Sequence, residues 1–551
     1  MRVLAVLIIF SMTLAAQVTS KMNSALDQFS APWLGTSNYW KKNFTHMDKT
    51  VTIRPPIKLK DYIVDGKLRL SLRDYLDLVV NNNTDIGIQR LNLETPMNAI
   101  QRASAIFDPS VTASYSATRS ETPATNQLQG ANVVSSLSQP FSVRFQELTP
   151  FSTTLFSQLN ISRSSTNDAY QVYNPSSVPV WQMGFSQPLL RNRGRYITKL
   201  PITIAKAQRL SQVQSFYNQL QTLLVTSENA YWDTMSARER LRVQREALKL
   251  AEASLERTRR EVELGATSAL EIYQPEQNAA TAKTSVVQIE YQLQQFEDVL
   301  RRQTGVDLDP DIRALPIELT EDIAGSVDNS PLEREQMVSL AFSKRPDLAA
   351  IKTNIEVNDL QIDSNMNLTK PLLTLQGTYS TQGRGGNMRT TDANGLPIII
   401  PGGMVDAFGQ FFNYSTYAFS LNLTLPIRDR SGAANLADAV VSKKLNAMRQ
   451  RTTEQTIRQE VLNAVSQVES SRANIKLAEI AVDFARKRAA ADQKRYDLGT
   501  ITIFFLLSAQ NDLTVAESNL VTAQVTHRRN LLSLQQRLGT LLETKNIVIQ
   551  P

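Results

Sequence analysis

The chain has 551 residues, with 59 Lys and Arg against 52 Asp and Glu, a formal net charge of +7 and two histidines. No basic run interleaves with aromatics, which argues against a nucleic-acid partner. There is no cysteine, which excludes disulfides, cysteine-ligated zinc, thiol catalysis and a lipid anchor on an N-terminal cysteine.

The first segment has the pattern of a secretory signal. Arg2 supplies the charge and Val3 to Ala16 the apolar stretch, with cleavage at Thr13-Leu14-Ala15 or at Ser20. Residues 1–20 are therefore expected to be a signal peptide on an exported chain. No later segment reaches the ~20 consecutive apolar residues that a membrane-spanning helix needs. Residues 21–70, with Pro32, Pro55 and Pro56, read as an irregular leader.

A helical pattern runs from Leu72 to about Ile106. The period then changes to two. Val111, Ala113 and Tyr115 alternate with Thr112, Ser114 and Ser116, and Trp181, Met183 and Phe185 alternate with Gln182, Gly184 and Ser186. Such alternation means strands with one wet and one apolar face. It predicts a β-hairpin over about 109–190, joined by a Ser/Thr/Asn/Gln-rich loop, with 141–163 a further strand segment of no assigned place. The hairpin ends in Gln187-Pro188-Leu189-Leu190-Arg191-Asn192-Arg193-Gly194. Pro188 stops ladder pairing, and Gly194 permits the bend into the next element.

Between Gly194 and Gly265 the one proline is Pro201, near the start. About 65 helical residues would span roughly 100 Å. Gly265 breaks the pattern and a partner helix returns. Its seam reads Ala279, Ala282, Val286, Ile289, Leu293, Phe296 and Leu300, the 3–4 spacing of a coiled coil. The expected unit is helix, β-hairpin about 109–190, helical hairpin about 195–305, filling 71–315.

The same unit is then repeated over 330–545. Leu373, Leu375, Gly377 and Tyr379 alternate with polar residues, as do Phe419, Leu421, Leu423 and Leu425, giving a second β-hairpin about 371–427. Leu425-Pro426-Ile427-Arg428-Asp429-Arg430-Ser431-Gly432 answers the first junction phrase, and a helical hairpin about 433–540 comes next. Its seam runs through Leu513, Ala516, Leu520, Ala523, His527, Leu531, Leu534 and Leu538. Glu263-Leu264-Gly265 recurs as Asp497-Leu498-Gly499, and Gly305 as Gly539, both at the 234-residue offset that separates 265 from 499. Repeats fix architecture before any motif does. Gly383-Arg384-Gly385-Gly386 falls in an expected outer loop and needs only turn duty.

Two hairpins give four strands, too few to close a barrel, and open edges are not tolerated in lipid. Three copies would give about 12 strands, enclosing a wet lumen lined by the polar face. A soluble β-sandwich with a coiled-coil arm fits the strands alone. The export signal, the duplication and the two long hairpins favour the membrane.

With these residues in place the chain resembles the TolC-like outer-membrane efflux proteins, over roughly residues 70 to 545. The phrase at 187–191 and the paired turns, Arg260-Glu261-Val262-Glu263-Leu264-Gly265 and Arg495-Tyr496-Asp497-Leu498-Gly499, carry the likeness. The resemblance implies a mainly α fold with transmembrane β structure. It implies a homotrimeric duct whose 12-stranded β-barrel in the outer membrane continues as an α-barrel into the periplasm. It implies a periplasmic adaptor and an inner-membrane pump as partners, contact with outer-membrane lipid, no cofactor and no catalysis. In a tripartite efflux or type I secretion system, such a duct exports passively.

The resemblance also places candidate residues. Adaptor docking falls on the tips, Leu264, Gly265, Ala266, Leu498, Gly499 and Thr500, although those glycines also serve simply as helix terminators. Family members narrow the periplasmic entrance with carboxylates and an arginine after the second turn. The matching positions here are Ile501, Phe505 and Ser508, none of which ionises, while Glu271 keeps an acid in the first half. The constriction is thus expected at Glu271, Phe504, Phe505 and Ser508, partly apolar and able to gate by dewetting; simple packing of Phe505 between helices is the alternative. Pro188, Gly194, Pro426 and Gly432 mark the strand-to-helix transition. Arg191, Arg193 and Arg195 cluster there as lipid-phosphate contacts, backbone caps or a solvated rim. His527 on the seam reads as a packing residue. No phosphate loop, HExxH pair or nucleophile elbow is present, and no metal site is expected. The rival reading is a periplasmic adaptor-like coiled-coil protein; adaptors carry one hairpin where this chain has two. A single-chain barrel enzyme would instead show many short strands.

Overall fold

The computed structural model of the protein describes residues 57–125, 127–323, 331–392 and 395–547. The expected signal peptide and most of the leader lie outside the described residues. The end of the leader is ordered into the fold, contrary to expectation. Strands β1 (Ile63–Val64) and β2 (Lys67–Leu70) form a hairpin that buries Leu68 and Leu70. The helical pattern then divides into α1 (Leu72–Asn82), α2 (Thr84–Asn92) and α3 (Glu94–Ser104). Ser71 caps α1 by accepting from the Asp74 amide, and Asn83 caps α2 by accepting from Asp85 and Ile86. The extended backbone of Asn83 is what breaks the single helix expected.

The β region differs more. Strands β3 (Ser110–Tyr115), β4 (Thr118–Pro123), β5 (Val133–Leu148), β6 (Thr154–Thr166) and β7 (Tyr173–Pro188) replace the one hairpin read from the sequence. Next come α4 (Arg195–Glu263), α5 (Tyr273–Thr304) and β8 (Ile317–Leu319), which pairs in parallel with β2. In the second half α6 (Arg334–Lys344) and α7 (Pro346–Leu368) lead to β9 (Leu372–Gln382), β10 (Gly385–Thr391) and β11 (Pro397–Ile400). Short helix α8 (Met404–Gly409), β12 (Tyr414–Thr424), α9 (Arg430–Asp497) and α10 (Ile503–Leu538) complete the long elements.

Nine of these strands join one antiparallel sheet. β3 and β4 both pair with β5, and β9 and β10 both pair with β7, each couple forming one long line. β11 pairs with β10, and β12 with β9. The sheet is therefore six columns wide, a continuous meander interrupted between β7 and β9 by the helices. The sheet of one chain is thus wider than the four strands expected. The reason is physical. The polar residues of 133–166 that suggested a loop are one face of two strands: Ser142, Arg144 and Gln146 alternate with Phe141, Val143 and Phe145 along β5.

Two cores hold the helices. The first buries Tyr75, Leu78 and Val79 of α1 against Leu220, Leu224 and Tyr231 of α4, roofed by the β1–β2–β8 sheet. The Tyr75 hydroxyl donates to the Gln303 side chain (2.7 Å) and lies 3.1 Å from the Ser227 carbonyl. The second packs Val338 and Leu348 of α6 and α7 against Ile457, Val461, Val465 and Val468 of α9. Arg345, between α6 and α7, binds Asp347 and Glu460, each at 2.6 Å. Both cores lie about midway along α4 and α9, whose 69 and 68 residues each span roughly 100 Å.

Beyond the cores α5 returns along α4, and α10 along α9. All seven expected seam residues of α5 are buried or half-buried. His527, at the α9–α10 seam, is 4 % exposed, with Nδ1 2.9 Å from the Ser471 hydroxyl. Burial first, then Arg472 and Arg528, hold its pKa below the usual value. The fold thus prefers the neutral ring. That contribution is complete above the unfolded value of about 6.5 and declines as the pH falls from there toward the lowered folded value. Wild-type protein is expected to melt at a lower temperature at pH 5.5 than at pH 7.5. His527→Leu, which restores the residue type of Leu293, should shrink that gap; an unchanged gap rejects the assignment.

Candidate functional site

Each long helix ends on a glycine with positive φ, +72° at Gly265 and +70° at Gly499. At the first tip the Ala266 amide donates to the Glu261 carbonyl (2.8 Å) and Gly265 to Val262 (3.0 Å). At the second, Thr500 donates to Arg495 and Gly499 to Tyr496, each at 2.9 Å. This is the paired closure of a Schellman turn, in which a left-handed residue satisfies the last carbonyls. A non-glycine residue there costs about 1–2 kcal/mol. The turns leave Leu264 83 % and Leu498 78 % exposed, with Gly265, Ala266, Gly499 and Thr500 also exposed.

The structure joins the two tips through Arg257, which the turn motifs do not include, and through Glu261, Tyr496 and Asp497 within them. Arg257 of α4 reaches Asp497 of α9 at 2.5 Å and Glu261 at 2.9 Å. Its guanidinium lies 4.8 Å from the centre of the Tyr496 ring, and the Tyr496 hydroxyl donates to Glu261 (3.1 Å). Arg257 holds the Asp497 carboxyl below the usual carboxylate range, whereas burial and then Glu261 push Tyr496 up. Arg257 and Glu261 stand four apart on one helix face, a visible signal. Their link to Asp497 spans 240 residues and has none. Along the hairpin arms, Arg245–Glu290 (2.6 Å), Arg259–Glu276 (3.2 Å), Arg486–Glu517 (3.0 Å) and Arg488–Asp512 (2.8 Å) lace the legs together. Being largely exposed, such pairs are screened by solvent and contribute little each.

Just past the second tip, Ile503, Leu506 and Leu507 are buried while Phe504 and Phe505 are 57 % and 53 % exposed. Their rings meet edge to face at 5.7 Å. Phe505 is thus not packed between helices of its own chain. Ser508 is half-buried, and Glu271 is exposed on a 3₁₀ turn, Ala269–Ile272. Asn511 of α10 lies 3.4 Å from Asn278 of α5, so the two return helices approach each other near the tips.

At the other end of the helices, Pro188 closes β7 opposite Thr374. Gly194 takes φ +90° immediately before α4. Pro426 lies two residues past Thr424, the last residue of β12. Gly432 does something else. It sits inside the first turn of α9, where its amide donates to Asp429 (2.7 Å) and a Cβ would collide with that carboxylate. Arg193 and Arg195 are exposed and Arg191 half-buried, and among the described residues none of the three makes an ion pair. The Gly383–Gly386 segment has more than turn duty: a side chain at Gly383 or Gly385 would strike α8 at Ala407. Among the described residues no group of three metal-ligating side chains occurs, and no helix is long and apolar enough to cross a membrane.

A family model described as outer membrane efflux protein matches residues 154–306 and 337–540. The toluene efflux pump outer membrane protein TtgC of Pseudomonas putida is 23% identical over 473 residues, 85% of this chain and 83% of that one. Among solved structures, the Campylobacter jejuni CmeC outer membrane channel superposes with a TM-score of 0.61, at 13% identity, over 95% of each chain. The outer membrane protein VceC of Vibrio cholerae gives 0.60 at 14% identity, over 85% of this chain and 96% of that one.

The tip link makes a measurable prediction. With spin labels at Leu264→Cys and Leu498→Cys, in a chain otherwise free of cysteine, electron–electron double resonance should give a narrow distance distribution. Arg257→Ala should broaden it, and a distribution of unchanged width would show that the cluster does not tie the tips.

Proposed function

The chain belongs to the outer membrane efflux protein family, an outer-membrane protein of tripartite efflux systems, and from that premise we propose that three copies form one passive exit duct. In this reading the three sheets close into a single β-barrel in the outer membrane. The four long helical legs of each copy, α4, α5, α9 and α10, make a 12-helix barrel in the periplasm. The observation that carries it is the pairing, in one chain, of an amphipathic sheet with exposed outer edges and helical hairpins with exposed apolar tips. Neither half buries its apolar surface alone. A homotrimer supplies the missing neighbours, a periplasmic adaptor caps the tips, and an inner-membrane pump energises transport. The chain itself then supplies a pore and no catalysis. An apolar closure accords with the residues: Phe504 and Phe505 narrow the periplasmic entrance across the threefold axis, where other members of the family use ionisable groups. Arg191, Arg193 and Arg195, which make no ion pair among the described residues, lie at the sheet-to-helix junction in reach of inner-leaflet phosphates.

A periplasmic adaptor is the weaker reading, because an adaptor has no use for a sheet with an apolar outer face.

Native mass spectrometry in detergent is expected to give three copies. In planar bilayers Phe505→Ala should raise single-channel conductance, and an unchanged value rejects a Phe505 gate. Photo-crosslinkers at Leu264 and Leu498 should trap a periplasmic protein with its own coiled-coil hairpin, whereas one placed mid-helix at Leu250 should not. Equal trapping from Leu250 would remove the tips as the docking surface.

A further inference from the structure

We infer that each copy contributes six strands, so that a ring of three copies closes as an 18-stranded barrel whose seam is β12 of one copy against β3 of the next. The copy number rests on the proposed trimer; the six strands per copy do not.

Three observations carry it. First, the β5–β6 hairpin extends the full height of the sheet. Its ladder runs from Ser136↔Thr166 down to Leu148↔Thr154. The turn below it is anchored at the helix junction: buried Ser152 bonds to Thr198 and to the Gly194 carbonyl, and Gln187 donates to the Phe151 carbonyl (3.3 Å). An external excursion folded away from the wall would not reach that level.

Second, β5 and β6 carry the same two faces as the other columns. The paired register places Val143, Leu159 and Trp181 on one face with Tyr115, Tyr379 and Tyr417. The opposite face carries Ser142, Asn160 and Gln182, with Arg144 over the Phe156 ring at 5.1 Å. Apolar-out and polar-in alternation over full-height strands is the pattern of a lipid-facing wall.

Third, the two outer columns are open and complementary. Every residue of β3 and of β12 is exposed. Along β12, Tyr417, Phe419 and Leu421 are 73 %, 76 % and 61 % exposed, against 44 % for Met183 in the middle of the sheet. Tyr-Ser-Thr-Tyr-Ala-Phe-Ser-Leu-Asn-Leu-Thr has no charge, proline or bulge to protect it, and neither does Ser-Val-Thr-Ala-Ser-Tyr. Soluble proteins guard such edges. Guards appear higher up, in β4 with Arg119, Glu121 and Pro123 and in β11 with Pro397. β3 runs away from the helices and β12 back toward them, so their pairing between copies is antiparallel, as at every other boundary. An even number of columns is needed for that closure, and six provides it.

Strands about 4.8 Å apart and tilted by about 40° give a backbone diameter of roughly 36 Å for 18 strands, against roughly 24 Å for 12. The outer-membrane bore is then about 1.5-fold wider than four strands per copy would make it.

The test is a strand count. Electron cryomicroscopy of the full-length protein in lipid nanodiscs, at a resolution that separates strands, should show six strands per copy and a β12–β3 seam. Four per copy, with β5 and β6 or β3 and β4 lying off the wall, overturns the inference whatever the copy number. Copy number is read from the same particles. A ring of other than three, with six strands each, overturns the trimer and supports the six-strand wall.

Discussion

Unpaired backbone amides and carbonyls are the constraint on which this molecule is built. In hydrocarbon no water satisfies them, and each orphan costs several kcal/mol. Inside the sheet the columns satisfy one another, but β3 and β12 each present one open edge. In the proposed ring a single copy is therefore an arc of wall. The same incompleteness recurs in the helical hairpins, whose seams bury one stripe while Leu250, Leu477 and Phe484 remain exposed. α4 and α9 follow the sheet after short junctions, Leu189–Gly194 and Leu425–Asp429.

Between wall and tips, the two buried clusters explain how so long a molecule keeps its legs aligned. α4 and α9 run through; α5 and α10 stop at Gly305 and Gly539, and α3 and α7 continue the path toward the sheet. The changeover happens where Tyr75, Tyr231 and Leu300 are fully buried on one side and Ile457 and Val465 on the other. Gly539 allows Lys344 to approach so closely that a Cβ would collide with its backbone. Glu228, 4 % exposed, is paired by Lys545 at 2.8 Å and by the Trp232 indole at 3.3 Å, so this buried carboxylate is not left uncompensated.

How much of this is readable from the chain alone depends on the range of the physics involved. The tips, seams and junction prolines are legible because each is a local signal: a glycine that alone accepts φ near +70°, a 3–4 apolar spacing, a missing amide. The strands over 133–166 are not, because a Ser/Thr-rich face looks like a loop until its apolar face is matched to a neighbour's, and Val143 finds Leu159 only through pairing. α8 is invisible for a similar reason: its seat is made by Gly383 and Gly385, whose lack of side chains reads as a turn when no packing partner is known. The Arg257–Asp497 contact joins helices far apart in sequence, and a charged pair on exposed faces leaves no periodic trace. At Gly432 the sequence suggests a bend and the structure shows a contact with Asp429, since a glycine at a helix start serves a bend or a cap equally well.

The unguarded rims have a consequence for biogenesis. In the proposed ring, a copy has its helical clusters complete before it meets its neighbours, yet until then it holds two open strand margins and an apolar outer face. Its lifetime as a free subunit must fall as the concentration of any competing strand rises, so ring closure and membrane entrance have to be nearly simultaneous.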